Sequence, residues 1–148
     1  MASGNGTALG ADPRIQTARC FRVQVSKLTI GVFTRCSGLE VEYEVMEYAE
    51  GGENGYVHKL RGRMRYPNLL LSSGVTKESE MLDWLFSSEE PGQRPAATIS
   101  LLDEAGAVQR SWVFGQALPV RWIGPALIDS GEVAGESLEI AHTGLLRA

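Results

Sequence analysis

The chain has 148 residues, of which 43% are hydrophobic and 22% charged, with a formal net charge of −4. That length suits one domain with a sizeable core. The acidic balance leaves no basic footprint for nucleic acid, and no apolar run approaches the roughly 20 residues needed to cross a bilayer.

Small and polar residues dominate the start, Met1 to Pro13 and on to about Arg19, with neither the basic opening nor the apolar middle of a secretory signal. Residues 1–18 therefore read as a flexible arm and 19–148 as the folded domain. Phe21, Val23 and Val25 alternate with Arg22 and Gln24, the pattern of a half-buried strand. A turn around Ser26–Ile30 leads to a second strand through Val32 and Phe33. Cys20 and Cys36 flank this hairpin; with no secretion signal, they read as two small, half-buried thiols and not as a bridge.

Leu39, Val41, Tyr43 and Val45 then share one strand face, and Glu40, Glu42 and Glu44 the other. Three adjacent carboxylates on one face do not enter a core without partners. They face water or basic groups from another chain. Glu50, Gly51, Gly52, Glu53, Asn54 and Gly55 form a turn-prone tip. The return strand, 56–66, carries His58, Lys59, Arg61, Arg63 and Arg65, so an acidic and a basic strand pair across an extended hairpin.

Pro67 ends that strand, and a short apolar one follows over 68–72. Thr76 is the expected N-cap of a helix, with Glu78 and Glu80 in its first turn, where the dipole favours negative charge. Met81, Leu82, Leu85 and Phe86 mark its apolar face, with Trp84 beside them. Beyond Pro91-Gly92, Ile99 and Leu101 run into a hairpin turn at Asp103–Gly106. Val108, Trp112 and Phe114 share a side of the next strand. Val120 and Trp122 mark another, and Leu138 and Ile140 point inward on the last, with Glu139 outward. About eight strands and one short flanking helix predict a mainly β domain, a two-sheet β-sandwich or partly closed barrel.

Catalytic chemistry is not evident. His58 and His142 stand in no triad or metal spacing, and no nucleotide-binding loop or nucleophile elbow occurs. The expectation is no enzyme, no cofactor and no metal. Trp84, Trp112 and Trp122 read as core residues rather than a sugar-stacking platform.

Several stretches, in order, resemble the tail-tube protein family of contractile injection systems and contractile phage tails. They are Ser37-Gly-Leu-Glu-Val-Glu-Tyr43, Glu47-Tyr48, Gly51-Gly-Glu-Asn54, Lys59-Leu-Arg-Gly62 and Tyr66-Pro-Asn-Leu-Leu-Leu71. Gly74-Val-Thr76, Leu82, Trp84-Leu85, Leu101–Gly106, Trp112, Trp122, Gly124-Pro125 and Glu139-Ile-Ala-His142 continue the series. The resemblance implies a β-barrel-like subunit, six to a ring, whose rings stack into a hollow tube driven forward by a contracting sheath. It implies as partners further copies of the chain, the sheath protein, baseplate, spike and tube-terminating proteins, and effector cargo in the lumen. Glu50–Gly55 would then touch the next ring, and Glu40, Glu42, Glu44, Lys59, Arg61 and Arg63 would face the lumen or a neighbouring subunit. The expected place is a phage-tail-like particle assembled in the bacterial cytoplasm and open to later release. A tube-initiating or baseplate adaptor fits the same residues. From other classes, a monomeric β-sandwich binding carbohydrate through its tryptophans, or a small hydrolase using His58 or His142, are the alternatives.

Overall fold

The computed structural model describes residues 18–49, 57–87, 89–127, 131 and 133–147. The arm and the Glu50–Gly55 tip lie outside these residues, apart from Ala18.

β1 (Ala18–Val25) and β2 (Leu28–Ser37) form a tight hairpin. Val25 pairs with Leu28, and Ser26 and Lys27 at its tip have φ of 52° and 67°. Two successive left-handed residues match the right-handed twist of the flanking strands. Phe21 pairs with Phe33, so Cys36 falls two positions beyond the point facing Cys20. Both thiols are free and half-buried, and burial pushes Cys36 up to about 12, which keeps it protonated.

Among the described residues, β3 (Glu42–Tyr48) and β4 (His58–Arg65) pair with each other and with no further strand. β5 (Leu69–Thr76) returns beside β2, and α1 (Glu78–Leu85) follows it. β6 (Ala97–Asp103) and β7 (Val108–Phe114) form the next hairpin. At its turn Asp103 Oδ1 accepts the N–H groups of Ala105 and Ala107 at 2.9 Å, and Gly106 takes φ of 85°. β8 (Leu118–Ile123), the short pair β9 (Ala126–Leu127) and β10 (Val133–Ala134), β11 (Glu136–Ala141) and β12 (Leu145–Arg147) complete the chain.

Eight strands make one antiparallel sheet in the order β12-β7-β6-β1-β2-β5-β11-β8. β7 lies next to one end of this order and β8 at the other, yet only Gly115–Ala117 separates them in sequence. The sheet must therefore curl. Gly115 N–H donates to the Gly144 carbonyl and Thr143 N–H to the Gly115 carbonyl, each at 2.9 Å, which pins the seam. β8 and β12 are not paired with each other, so the roll stays open. Of the two expected forms, the β-sandwich and the partly closed barrel, the chain takes the second: one rolled, open sheet, with β3–β4 and β9–β10 as separate ribbons.

Inside the roll lie Val23, Ile30, Phe33, Leu69, Leu71, Ile99, Phe114, Leu138 and Ile140, all essentially buried. Helix α1 covers β2 and β8 with Met81 and Trp84, while Phe86, just past its end, points into solvent. Trp112 and Trp122 are half-buried and pack against this core. The helix N-cap is Lys77, without a side-chain cap, and not Thr76. Thr76 ends β5, and its hydroxyl is already committed to Glu136 at 2.6 Å.

Candidate assembly interface

The β3–β4 ribbon stands apart from the sheet. Glu42 faces Arg65 and Tyr43 faces Met64; further out Val45 faces Arg61, Met46 Leu60, Glu47 Lys59 and Tyr48 His58. Between these runs Gly62 and Arg63 together oppose Glu44, a β-bulge on β4. Strand β3 keeps its alternation through this point, whereas β4 changes phase. A Cβ on Gly62 would sit 3.2 Å from the Glu44 side chain, so glycine suits the crowded inner position.

The bulge sorts the charges. One face carries Glu42, Glu44, Met46 and Tyr48 with Arg65, Leu60 and His58. On it Arg65 Nε donates to Glu44 Oε1 at 2.6 Å, and the rings of Tyr48 and His58 stack at 5.2 Å. The other face carries Tyr43, Val45 and Glu47 with Met64, Arg61 and Lys59, and the Arg61 guanidinium lies 4.7 Å over the Tyr43 ring. Strict alternation would keep Lys59, Arg61 and Arg63 together. Instead Arg63 joins Glu40, Glu42, Glu44 and Arg65 around an open hollow of about 530 Å³.

Both faces expose apolar side chains: Val45 is 62%, Met46 59% and Leu60 51% accessible. A lone two-stranded ribbon is marginal in water, so its anchorage matters. Tyr66 and Pro67, at its root, meet the seam of the roll. The Tyr66 ring packs where a Cβ on Gly144 would sit, 2.7 Å from the nearest ring atom, and Gly144 has φ of 136°. His142 Nε2 lies 3.1 Å from the Pro67 carbonyl, its ring 4.5 Å from that of Phe114 and 5.8 Å from that of Tyr66. Its Nδ1 is buried, with no hydrogen-bond partner among the described residues. Burial lowers the His142 pKa, against a smaller upward pull from the Pro67 bond. Asn68 Nδ2 donates to Glu139 Oε2 at 2.8 Å, tying the root to β11.

His58 and His142 thus occupy the ribbon's distal end and its root, and are not brought together. Among the described residues no three His, Cys, Asp or Glu side chains gather in a metal-binding group. Sequence patterning did not single out Tyr66 and Gly144 as anchors, or Glu136, which is buried at 7% accessibility. A signal for Glu136 existed, because it shares the inward parity of Leu138 and Ile140.

A rolled β domain that projects a double-faced ribbon with exposed apolar side chains has the surface of an assembling, structural subunit. The family model of the T4-like virus tail tube protein gp19 matches residues 17–146. The chain belongs to that family and is a structural inner-tube subunit. Among solved structures, it resembles a chain of the sheath-tube complex of PVC, an extracellular contractile injection system, in the extended state. That likeness has a TM-score of 0.71 at 25% identity over 97% of each chain. A chain of the PVC sheath/tube terminator matches with a TM-score of 0.67 at 26% identity, over 85% of this chain and 91% of that one. A chain of the tube-terminating cap of the anti-feeding prophage, 24% identical, shares the fold with a TM-score of 0.69, over 98% of this chain and 92% of that one. No curated protein matches.

Proposed function

We propose that the chain closes into rings of six identical copies, and that these stack into the hollow tube of a contractile injection system. The observation that carries this reading is the ribbon: its apolar side chains are exposed on both faces, and stacking covers them. Among the described residues β8 and β12 are unpaired on their outer sides, which supports ring closure, since an unpaired edge invites a strand from a neighbour and a closed ring removes it. Glu50–Gly55 at the ribbon tip then reach the adjacent ring. Glu40, Glu42, Glu44 and Arg63 line an interface or the lumen, with Lys59 and Arg61 on the ribbon's opposite face.

In this role the chain has no catalytic activity, in keeping with a structural family. Its partners are further copies of itself, a sheath protein outside, baseplate and spike proteins at one end and a terminating cap at the other, with effector cargo inside. The particle assembles in the bacterial cytoplasm and acts after release. Electron microscopy of the purified chain and of the particle tests the reading, with native mass measurement of the ring. Six-fold rings and stacked tubes are the expected result; a strictly monomeric chain absent from any sheathed particle would overturn it.

A further inference from the structure

Stacking of identical rings is head-to-tail, so the surface that receives a neighbour's ribbon differs from the ribbon itself. Strands β2 and β5 give the direction. Ser37 pairs with Leu70 at the ribbon end, and Gly31 with Thr76 at the other, where Lys77 N–H donates to the Ile30 carbonyl at 2.8 Å. The opposite end of the subunit therefore holds the β1–β2 turn and helix α1.

A groove of about 190 Å³ opens between them. Ile30, at 2%, and Trp84, at 7%, form its floor, and Leu28, 56% accessible, stands at its lip. Glu80, Asp83 and Glu89 supply the rim. An apolar floor under a carboxylate rim fits a long cationic side chain, whose methylene stem packs below while its head meets the acids. The ribbon face with Tyr43 and Val45 presents two such side chains, Lys59 and Arg61, both exposed.

Resting on the stacked-ring reading, we infer that the groove between α1 and the β1–β2 turn is the socket for the Lys59–Arg61 face of a ribbon from the next ring. The occupant is a second copy of this chain, chosen by charge complementarity and by the placement of plug and socket at opposite ends of β2 and β5. Lys59 and Arg61 are the anchors, and Glu80, Asp83 and Glu89 their counter-charges.

The test uses the full chain with Asp83 and Glu89 changed to Lys, with Lys59 and Arg61 changed to Glu, and with both sets combined. Each set alone should give folded rings and no tubes, and the combination should restore tubes. Tubes of parental length from the Asp83→Lys/Glu89→Lys chain overturn the socket. A second measurement does not depend on those charges: oxidising assembled tubes of the Lys59→Cys/Asp83→Cys chain. Covalent multimers should appear from tubes and not from isolated rings, with the parent chain as control. Tubes that give no multimers overturn the proposal, and isolated rings that give them place the contact within a ring, which also overturns it. If the parent chain forms neither rings nor tubes, the stacked-ring reading itself fails.

Discussion

Trp122 on β8 donates its indole N–H to Glu136 on β11 across 3.1 Å, and that carboxylate also accepts the Thr76 hydroxyl at 2.6 Å and the Thr76 N–H at 2.8 Å. Donors from β5 and β8 thus stand in for water around this buried carboxyl group. Replacing Glu136 with Leu strips all three donors of their acceptor. Urea unfolding should show a loss of about 1–3 kcal/mol, with Glu136→Gln losing less because it keeps a carbonyl oxygen.

Trp84 and Trp112 should respond unequally to truncation. Trp84 is 7% accessible on the sheet-facing side of helix α1, so Trp84→Ala should cost roughly 3–5 kcal/mol. Trp112 is half-buried with Arg110 5.2 Å over its ring, and Trp112→Ala should cost less than that range. Equal losses in thermal or urea unfolding would contradict the burial difference.

Gly144→Ala adds a methyl group where the Tyr66 ring lies, at a φ that L-residues resist. The overlap should destabilise the chain by about 1–3 kcal/mol. Because Tyr66 is the ribbon's root, tube yield in electron micrographs should fall further than the folded fraction does.

The acid side of the stability profile should carry the mark of His142. Its folded pKa is lowered by burial, while an unfolded imidazole takes its proton near ~6.5. The unfolded chain therefore binds more protons in the window between the two values. Stability is full above about pH 6.5 and falls with acidification until the folded pKa is passed. Thermal midpoints at about pH 7.5 and pH 5.5 should differ less in His142→Gln than in the parent.

Removing Glu50–Gly55 should leave the fold intact, since hairpin tips tolerate shortening, yet stop rings from stacking. Normal tubes from that deletion would remove the tip from the axial contact.

Much of the architecture is legible in the sequence because most strands are covered on one side. Leu138 and Ile140 alternate with Glu139 for that reason, and Asp103–Gly106 carries its own turn chemistry. The departures are places where a distant residue decides. Thr76 has the chemistry of an N-cap, but Glu136, sixty positions away, takes its hydroxyl. Glu78 and Glu80 mark the helix start correctly, whereas Phe86 falls beyond its last turn and is exposed. The Gly62–Arg63 bulge leaves no trace in periodicity, because both faces of the ribbon are solvated and neither phase is penalised. His142 meets Pro67 through the β5–β11 register, in which Ile140 pairs with Leu69, and it reaches Phe114 on β7 only once the sheet has curled.

The continuity of β2 and β5 has a mechanical consequence. Both strands run from the ribbon end to the helix end and keep one mutual register from Ser37–Leu70 to Gly31–Thr76, although Ser73 in β5 takes a φ of 56°. In the proposed stack, a thrust arriving through a neighbour's ribbon would load the β2–β5 ladder in shear, where its hydrogen bonds share the force. A tube of such subunits is suited to act as a ramrod, advancing with little axial shortening.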